Sequence, residues 1–210
     1  MAGTIRTLSA LDALLDDNTS GDIGFQDAKD LLHSVYNAGR QAHYVPAAAW
    51  EPTITNGCST HAKYEGTADQ PNITVLDFAA GADEACQYEI ALGDSWDLLT
   101  VSFEVYWTSA TATSGNVIWG LQGVSISNDQ VFDIAYGTAQ TVTDSPTVTV
   151  YEIYRSSESS AITIGNTPAD GDLSFFRLYR NGANASDTMT GDARFIGAKI
   201  FFTTDAPNDL

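Results

Sequence analysis

The sequence predicts a mainly β protein, a jelly-roll-like antiparallel β-sandwich preceded by a short helix-turn-helix segment. Three observations carry that expectation. Past residue 50 the apolar residues recur at a period of two, the period of half-buried strands. The stretches between them are short and rich in Gly, Asn, Asp and Ser, which is turn chemistry. Before residue 45 the apolar period is helical instead. A hydrophobic content of 43% in 210 residues is enough to bury a core without disulfide or metal staples.

In the first helix candidate Leu8, Leu11, Leu14 and Leu15 share a face, with Ser9 and Asp12 as a weak capping pair. In the second, Phe25, Ala28, Leu31, Leu32, Val35 and Tyr36 form the stripe. Asp22 is placed to start that helix, and Asn37 and Gly39 to stop it. Helices of about two to four turns do not persist alone in water. Their apolar faces must pack on the β domain, another copy or a partner. Residues 1–45 are therefore read as a helical anchoring segment, with Leu8, Leu11, Leu15, Phe25, Leu31, Leu32 and Val35 as its assembly residues. Residues 46–72, opened by Pro46 and containing Pro52, read as a linker or extended arm that begins within QAHYVPAAAWEP. Residues 73–210 read as the sandwich.

Within the sandwich, VSFEVYW sets Val101, Phe103, Val105 and Trp107 against Ser102, Glu104 and Tyr106. ITVLDFA and QYEIALG precede it; NVIWGLQGVSIS, TVTVYEIY, DLSFFRLYR and RFIGAKIFFT follow. With a short ITI near Ile162, that makes about eight strands, the pattern of a sandwich or barrel.

Nine basic against 27 acidic residues leave a formal charge of −18. Such a chain repels phosphate backbones and anionic lipid, so neither nucleic acid nor membrane is expected as a partner. The N-terminus lacks the apolar core of a signal peptide and no segment reaches transmembrane length, so synthesis in a cytoplasm is expected. Cys58 and Cys86 fit no metal spacing. They are expected as buried thiols, and a disulfide between them in an oxidising medium stays open.

Candidate chemistry is sparse. In DDNTSGDIGFQD, Asp16, Asn18 and Ser20 take calcium-loop positions one, three and five, with Gly21 at six and Asp27 at twelve. Position twelve is not the usual Glu, and the loop is single. A turn followed by an Asp22 cap explains the same letters, so no metal or cofactor is expected. His33, His43 and His61 belong to no catalytic motif. The carboxylate pairs Asp170 with Asp172 and Asp83 with Glu84 have the chemistry of glycoside hydrolysis, yet they sit in turn-like stretches where Asp serves the backbone. The chain is therefore expected not to be an enzyme. Trp107 continues an apolar strand face and reads as core, whereas Trp50 and Trp96 sit outside clear alternation and read as surface candidates for stacking on sugars. Arg155, Arg177, Arg180 and Arg194 are expected to pair with neighbouring acids.

The segment TIRTLSALDALLDDNTSGDIGFQDAKDLLHSVY resembles an N-terminal segment recurrent in tailed-bacteriophage virion proteins. VSFEVYWTSA, VIWGLQG and GDLSFFRLYRNGANASDTMTGDARFIGAKIFF are similar to the β domain of tail fibres, head fibres and capsid decoration proteins of such phages. The resemblance implies a trimeric, non-enzymatic virion protein, made in the host cytoplasm, whose N-terminal segment fastens a sandwich to other capsid or tail components. It carries no catalytic residues, and the turn in that family does not depend on an acid at the place of Asp16. A capsid decoration (cement) role is the first expectation, because 210 residues leave little room for a shaft. The alternative is a tail-fibre or head-fibre adhesin recognising host surface glycans. Its mark would be two or more exposed aromatics in one plane with amides beside them.

Overall fold

A computed structural model of the chain describes residues 39–205. The two helix candidates, the seven assembly residues from Leu8 to Val35 and the loop from Asp16 to Asp27 lie outside the described residues. The described part is a two-layer antiparallel sandwich. Twelve strands are present: β1 (Arg40–Pro46), β2 (Glu51–Pro52), β3 (Ala62–Glu65), β4 (Asn72–Phe78), β5 (Asp83–Ala91), β6 (Thr100–Thr108), β7 (Val117–Ile126), β8 (Gln140–Asp144), β9 (Tyr154–Arg155), β10 (Ile162–Thr163), β11 (Leu173–Asn181) and β12 (Ala193–Thr203).

The first sheet runs β10-β6-β12-β4-β3, with β1 beside β12 and β9 beside β6; the second runs β2-β5-β11-β7-β8. The chain crosses repeatedly from one sheet to the other, so each layer is assembled from distant stretches. That interleaving is the jelly-roll-like character the sequence predicts.

The core lies where the period-two patterns face each other. Val101, Phe103, Val105 and Trp107 of β6 are all buried, as their alternation requires. Opposite them stand Trp119 and Leu121 of β7 and Phe176 and Leu178 of β11. Edge-to-face ring contacts join the layers: Phe78 meets Trp119 at 5.2 Å and Trp50 meets Phe195 at 5.6 Å between centroids. Strand β12 changes its inward parity on the way. Phe195 faces Trp107 but Gly197 faces Tyr106, so Ile196 is an extra residue in a β-bulge. Phe195 before the bulge and Ala198 and Ile200 after it can therefore all point inward.

Residues 40–52, read from the sequence as the end of the anchor and the start of a linker, belong to the sandwich. Strand β1 pairs with β12 from Arg40 opposite Thr203 to Pro46 opposite Gly197, a 3-10 turn spans Ala47–Ala49 and β2 pairs with β5. Pro46 and Pro52 are tolerated because each sits at the end of its strand. The start and end of the described chain meet here: Thr204 Oγ1 donates to the Gly39 carbonyl at 3.1 Å and the Asp205 N–H to that of Ser95 at 2.9 Å.

TVTVYEIY does not form the expected strand. Tyr151 takes a left-handed φ of 65° and gives its N–H to the Ser109 carbonyl, which folds the segment back at the end of β6. Only Tyr154 and Arg155 pair with β6, and Tyr154 packs on Trp107 at 4.8 Å.

Candidate functional site

Strand β11 alternates Ser174, Phe176, Leu178 and Arg180 toward the core with Leu173, Phe175, Arg177, Tyr179 and Asn181 on the outer face of the second sheet. The flanking strands are in register with it, so the outer face is built in rows. Phe175 lies between Glu89 of β5 and Val124 of β7; Arg177 lies between Gln87 and Gln122; Tyr179 lies between Ala85 and Gly120. Directly opposed residues on antiparallel strands have Cβ atoms about 4.5–5.5 Å apart, so each row acts as one recognition unit.

Two local features shape this face. Gly120 lets the Tyr179 ring lie on the sheet: a Cβ there would fall 2.5 Å from Cε1 and 2.6 Å from Oη of that ring. The loop between β7 and β8 supplies a wall. Its Gly137 N–H bonds the Gly123 carbonyl at 2.9 Å, and a Cβ at Gly137 would lie 2.9 Å from the Gly165 nitrogen. That close approach brings Tyr136 over β5, where its hydroxyl donates to Gln87 Oε1 at 2.8 Å. Gln87, Val124, Phe132, Ile134, Tyr136 and Phe175 enclose a groove of about 340 Å³.

The polar groups here are open to a ligand. Arg177 is half-buried, its guanidinium carbon is 5.3 Å from the centre of the Tyr179 ring, and among the described residues it makes no ion pair or hydrogen bond. Gln122 makes no side-chain hydrogen bond among the described residues, and the Gln87 amide nitrogen is free to donate. Burial pushes the Tyr136 and Tyr179 phenols above their usual value, and the nearby Arg177 cation pulls both part of the way back. Aromatic faces flanking donors and acceptors that lack protein partners suit an amphipathic, hydroxyl-rich ligand.

A larger groove of about 580 Å³ lies at the first sheet beside Tyr64, Pro71, Ile73, Tyr151 and Ile153. It is mainly apolar and carries no cationic side chain in its lining. In a third hollow, lined by Arg40, Ser102 and Glu158, the charged groups already serve one another through the Arg40–Glu158 ion pair and the Ser102–Glu158 hydrogen bond.

Several sequence-based expectations need correction. Trp50 and Trp96 are not surface platforms: they are 0% and 3% exposed. Both plug the margins of the sandwich, Trp50 against Phe195 and Tyr88 and Trp96 beside Thr204, where a buried ring need not follow strand alternation. The arginines divide. Arg180 is fully buried and all five of its N–H groups are used: two on Asp187, two on the carbonyls of Phe78 and Gly191, and one on that of Met189. Arg194 pairs with Asp77 at 3.3 Å. Arg177 and Arg155 do not pair with acids among the described residues.

The carboxylate pairs serve turns. Asp172 accepts from the Ala169 N–H, Asp83 from that of Ala183 and Glu84 from that of Ala79. His43 and His61 contact the Tyr88 hydroxyl and the Ala47 carbonyl. Cys58 and Cys86 are free, buried thiols, and burial with the neighbouring Cys58 raises the Cys86 thiol well above its usual value. Among the described residues no group of three or more His, Cys, Asp or Glu is placed to hold a metal, and no helix is long and apolar enough to cross a membrane.

No protein-family model matches the chain, and no curated protein does. Solved structures with a similar outline include a family 35 carbohydrate-binding module from Clostridium thermocellum, at 10% identity over 76% of this chain and 97% of that one, with a TM-score of 0.41. A family 11 module from the same organism, in complex with a β-1,3-1,4-mixed-linked tetrasaccharide, aligns at 11% identity over 78% and 95%, also with a TM-score of 0.41. The structure of infectious bursal disease virus, Gx strain, aligns at 11% identity over 82% of this chain and 35% of that one, with a TM-score of 0.39. The likeness is one of loose sandwich architecture.

Proposed function

We propose that this chain is a non-enzymatic glycan-binding β-sandwich, displayed on a virion as an adhesin, with its ligand lying across the outer face of the second sheet. One observation carries the reading: the in-register row Gln87–Arg177–Gln122 has unpartnered polar groups and is bordered by Phe175, Tyr136 and Tyr179. Phe175 and Tyr179 stand four residues apart on one strand, about 13–14 Å along the sheet, which gives an oligosaccharide two apolar faces with hydrogen-bonding groups between them. The virion setting rests on the sequence resemblance and on the apolar stripes of residues 1–45.

The test is a glycan array probed with the whole chain, followed by titration of the strongest binder. Tyr179→Ala and Phe175→Ala should each weaken binding by about five- to thirtyfold, the loss of roughly 1–2 kcal/mol of stacking, with melting temperature nearly unchanged. An array without any binder, or a binder indifferent to both substitutions, would refute the assignment.

A capsid decoration role remains the second reading, favoured by the apolar stripe through Leu11, Leu15, Leu31 and Val35. It requires that removing residues 1–38 abolish attachment to empty particles. Retained attachment by the truncated chain would count against it.

A further inference from the structure

We infer that the preferred ligand is a carboxylated saccharide, a glycan bearing a uronate or sialate group, and that Arg177 reads its carboxylate. The inference rests on the glycan-binding reading above and adds the chemical class of the sugar.

The chain has nine basic residues against 27 acidic ones, so an unneutralised guanidinium on the middle strand of this face, one row from the groove at Phe175, is unusual in its surroundings. Elsewhere Arg40 pairs with Glu158, Arg180 with Asp187 and Arg194 with Asp77, and Arg155, which pairs with no acid among the described residues, is exposed to solvent at an edge strand. Arg177 instead has an uncharged amide on either side of it in its row. Within the sheet, the carboxylate nearest in register on the same face is Glu89, one row along and opposite Phe175, and the wall loop carries Asp133 between Phe132 and Ile134; neither forms an ion pair with Arg177. Asp83 lies further along β5, opposite Asn181, and its carboxylate already accepts the Ala183 N–H.

A guanidinium fork matches a carboxylate with two parallel N–H···O bonds, which a neutral hydroxyl cannot reproduce. The two glutamines on either side are suited to the sugar hydroxyls that flank such a carboxylate, since a primary amide both donates and accepts. The Tyr179 ring under the guanidinium holds it in place through the face of the ring. A neutral glycan would leave this cation covered and unpaired, a cost that works against its binding. A carboxylated one removes that cost. The site therefore discriminates by charge at contact range, although the molecule as a whole is strongly negative.

The experiment is an array of matched pairs, uronate- and sialate-terminated oligosaccharides printed beside their carboxyl-reduced or desialylated counterparts. It is probed with the whole chain and with its Arg177→Gln and Arg177→Lys variants, each checked for an unchanged thermal melt. The carboxylated member of a bound pair should be favoured by roughly tenfold or more. Arg177→Gln should erase that preference, and Arg177→Lys should restore part of it. Pair members bound equally, or a preference that survives Arg177→Gln, would overturn the inference while leaving the glycan-binding function standing. Failure to bind any member of any pair would overturn both.

Discussion

Arg180 sits at 0% exposure with Asp187 beside it at 2.7 Å, inside a sandwich whose other buried residues are mostly apolar and otherwise nearly all uncharged Ser and Thr. A buried ion pair is stable only if its remaining hydrogen-bonding capacity is used, and here every guanidinium N–H has an acceptor. Asp187 reaches further, accepting the Ile118 N–H at 3.0 Å. The pair thereby fastens the 182–192 loop to β4 and β7. Arg180→Ala leaves Asp187 buried without its partner and frees three carbonyls, so unfolding in urea should show a loss of about 3–5 kcal/mol. A cost under about 1 kcal/mol, the range of a surface pair, would mean that this loop is held by something else. That Arg180 would pair was legible in the sequence; that Arg177, three residues earlier, would not was invisible there. The difference lies in which side of β11 each occupies and what the neighbouring strands place opposite, and pairing register is not written in the letters of one strand.

Among the elements, β11 shows how a strand that reads simply as half-buried becomes a binding surface. Its alternation is plain in DLSFFRLYR, but Gln87, Gln122 and Gly120 come from strands far away in sequence and join the site only through pairing. Gly120 supplies the sharpest test at this scale. In Gly120→Ala the new methyl meets a ring that can swing aside, so stability should change little, whereas the Tyr179 platform is lost and glycan affinity should fall about tenfold, or roughly 1.4 kcal/mol. Calorimetry beside a thermal melt separates the two effects; unchanged affinity would show that Tyr179 is not a platform. The strands that sequence reading missed share a physical cause. β1 ends on Pro46, runs into three alanines and exposes most of its side chains, so it has no clear period-two signature and owes its structure to β12. TVTVYEIY has that signature and still fails, because a tertiary hydrogen bond to the Ser109 carbonyl and a left-handed residue outweigh local preference.

At the scale of the whole molecule, pH should act most strongly on the alkaline side. Burial raises the phenols of Tyr44, Tyr88, Tyr136 and Tyr179 above the value of 10.0 they have when exposed, with Tyr106 adding to the shift at Tyr44. Above that pH the unfolded chain loses these protons first, so the native state binds more protons than the unfolded one and stability falls as pH rises. The contribution is fully present below pH 10 and is lost as the pH climbs through the raised values. Denaturant midpoints measured from pH 8 to 11 should therefore hold steady and then drop, and a flat profile would argue that the four rings are solvated.

The meeting of Gly39 with Thr204 has a practical corollary. Both ends of the folded body leave from one corner of the first sheet, while the glutamine–arginine row faces outward from the other layer. Cargo joined directly at position 39 or 205, whether a bead or a fluorescent partner, hangs from the same hook, on the layer opposite the sugar-reading side. A sensor chip coated with the 39–205 body through its first residue should then capture glycans as well as a chip coated through its last.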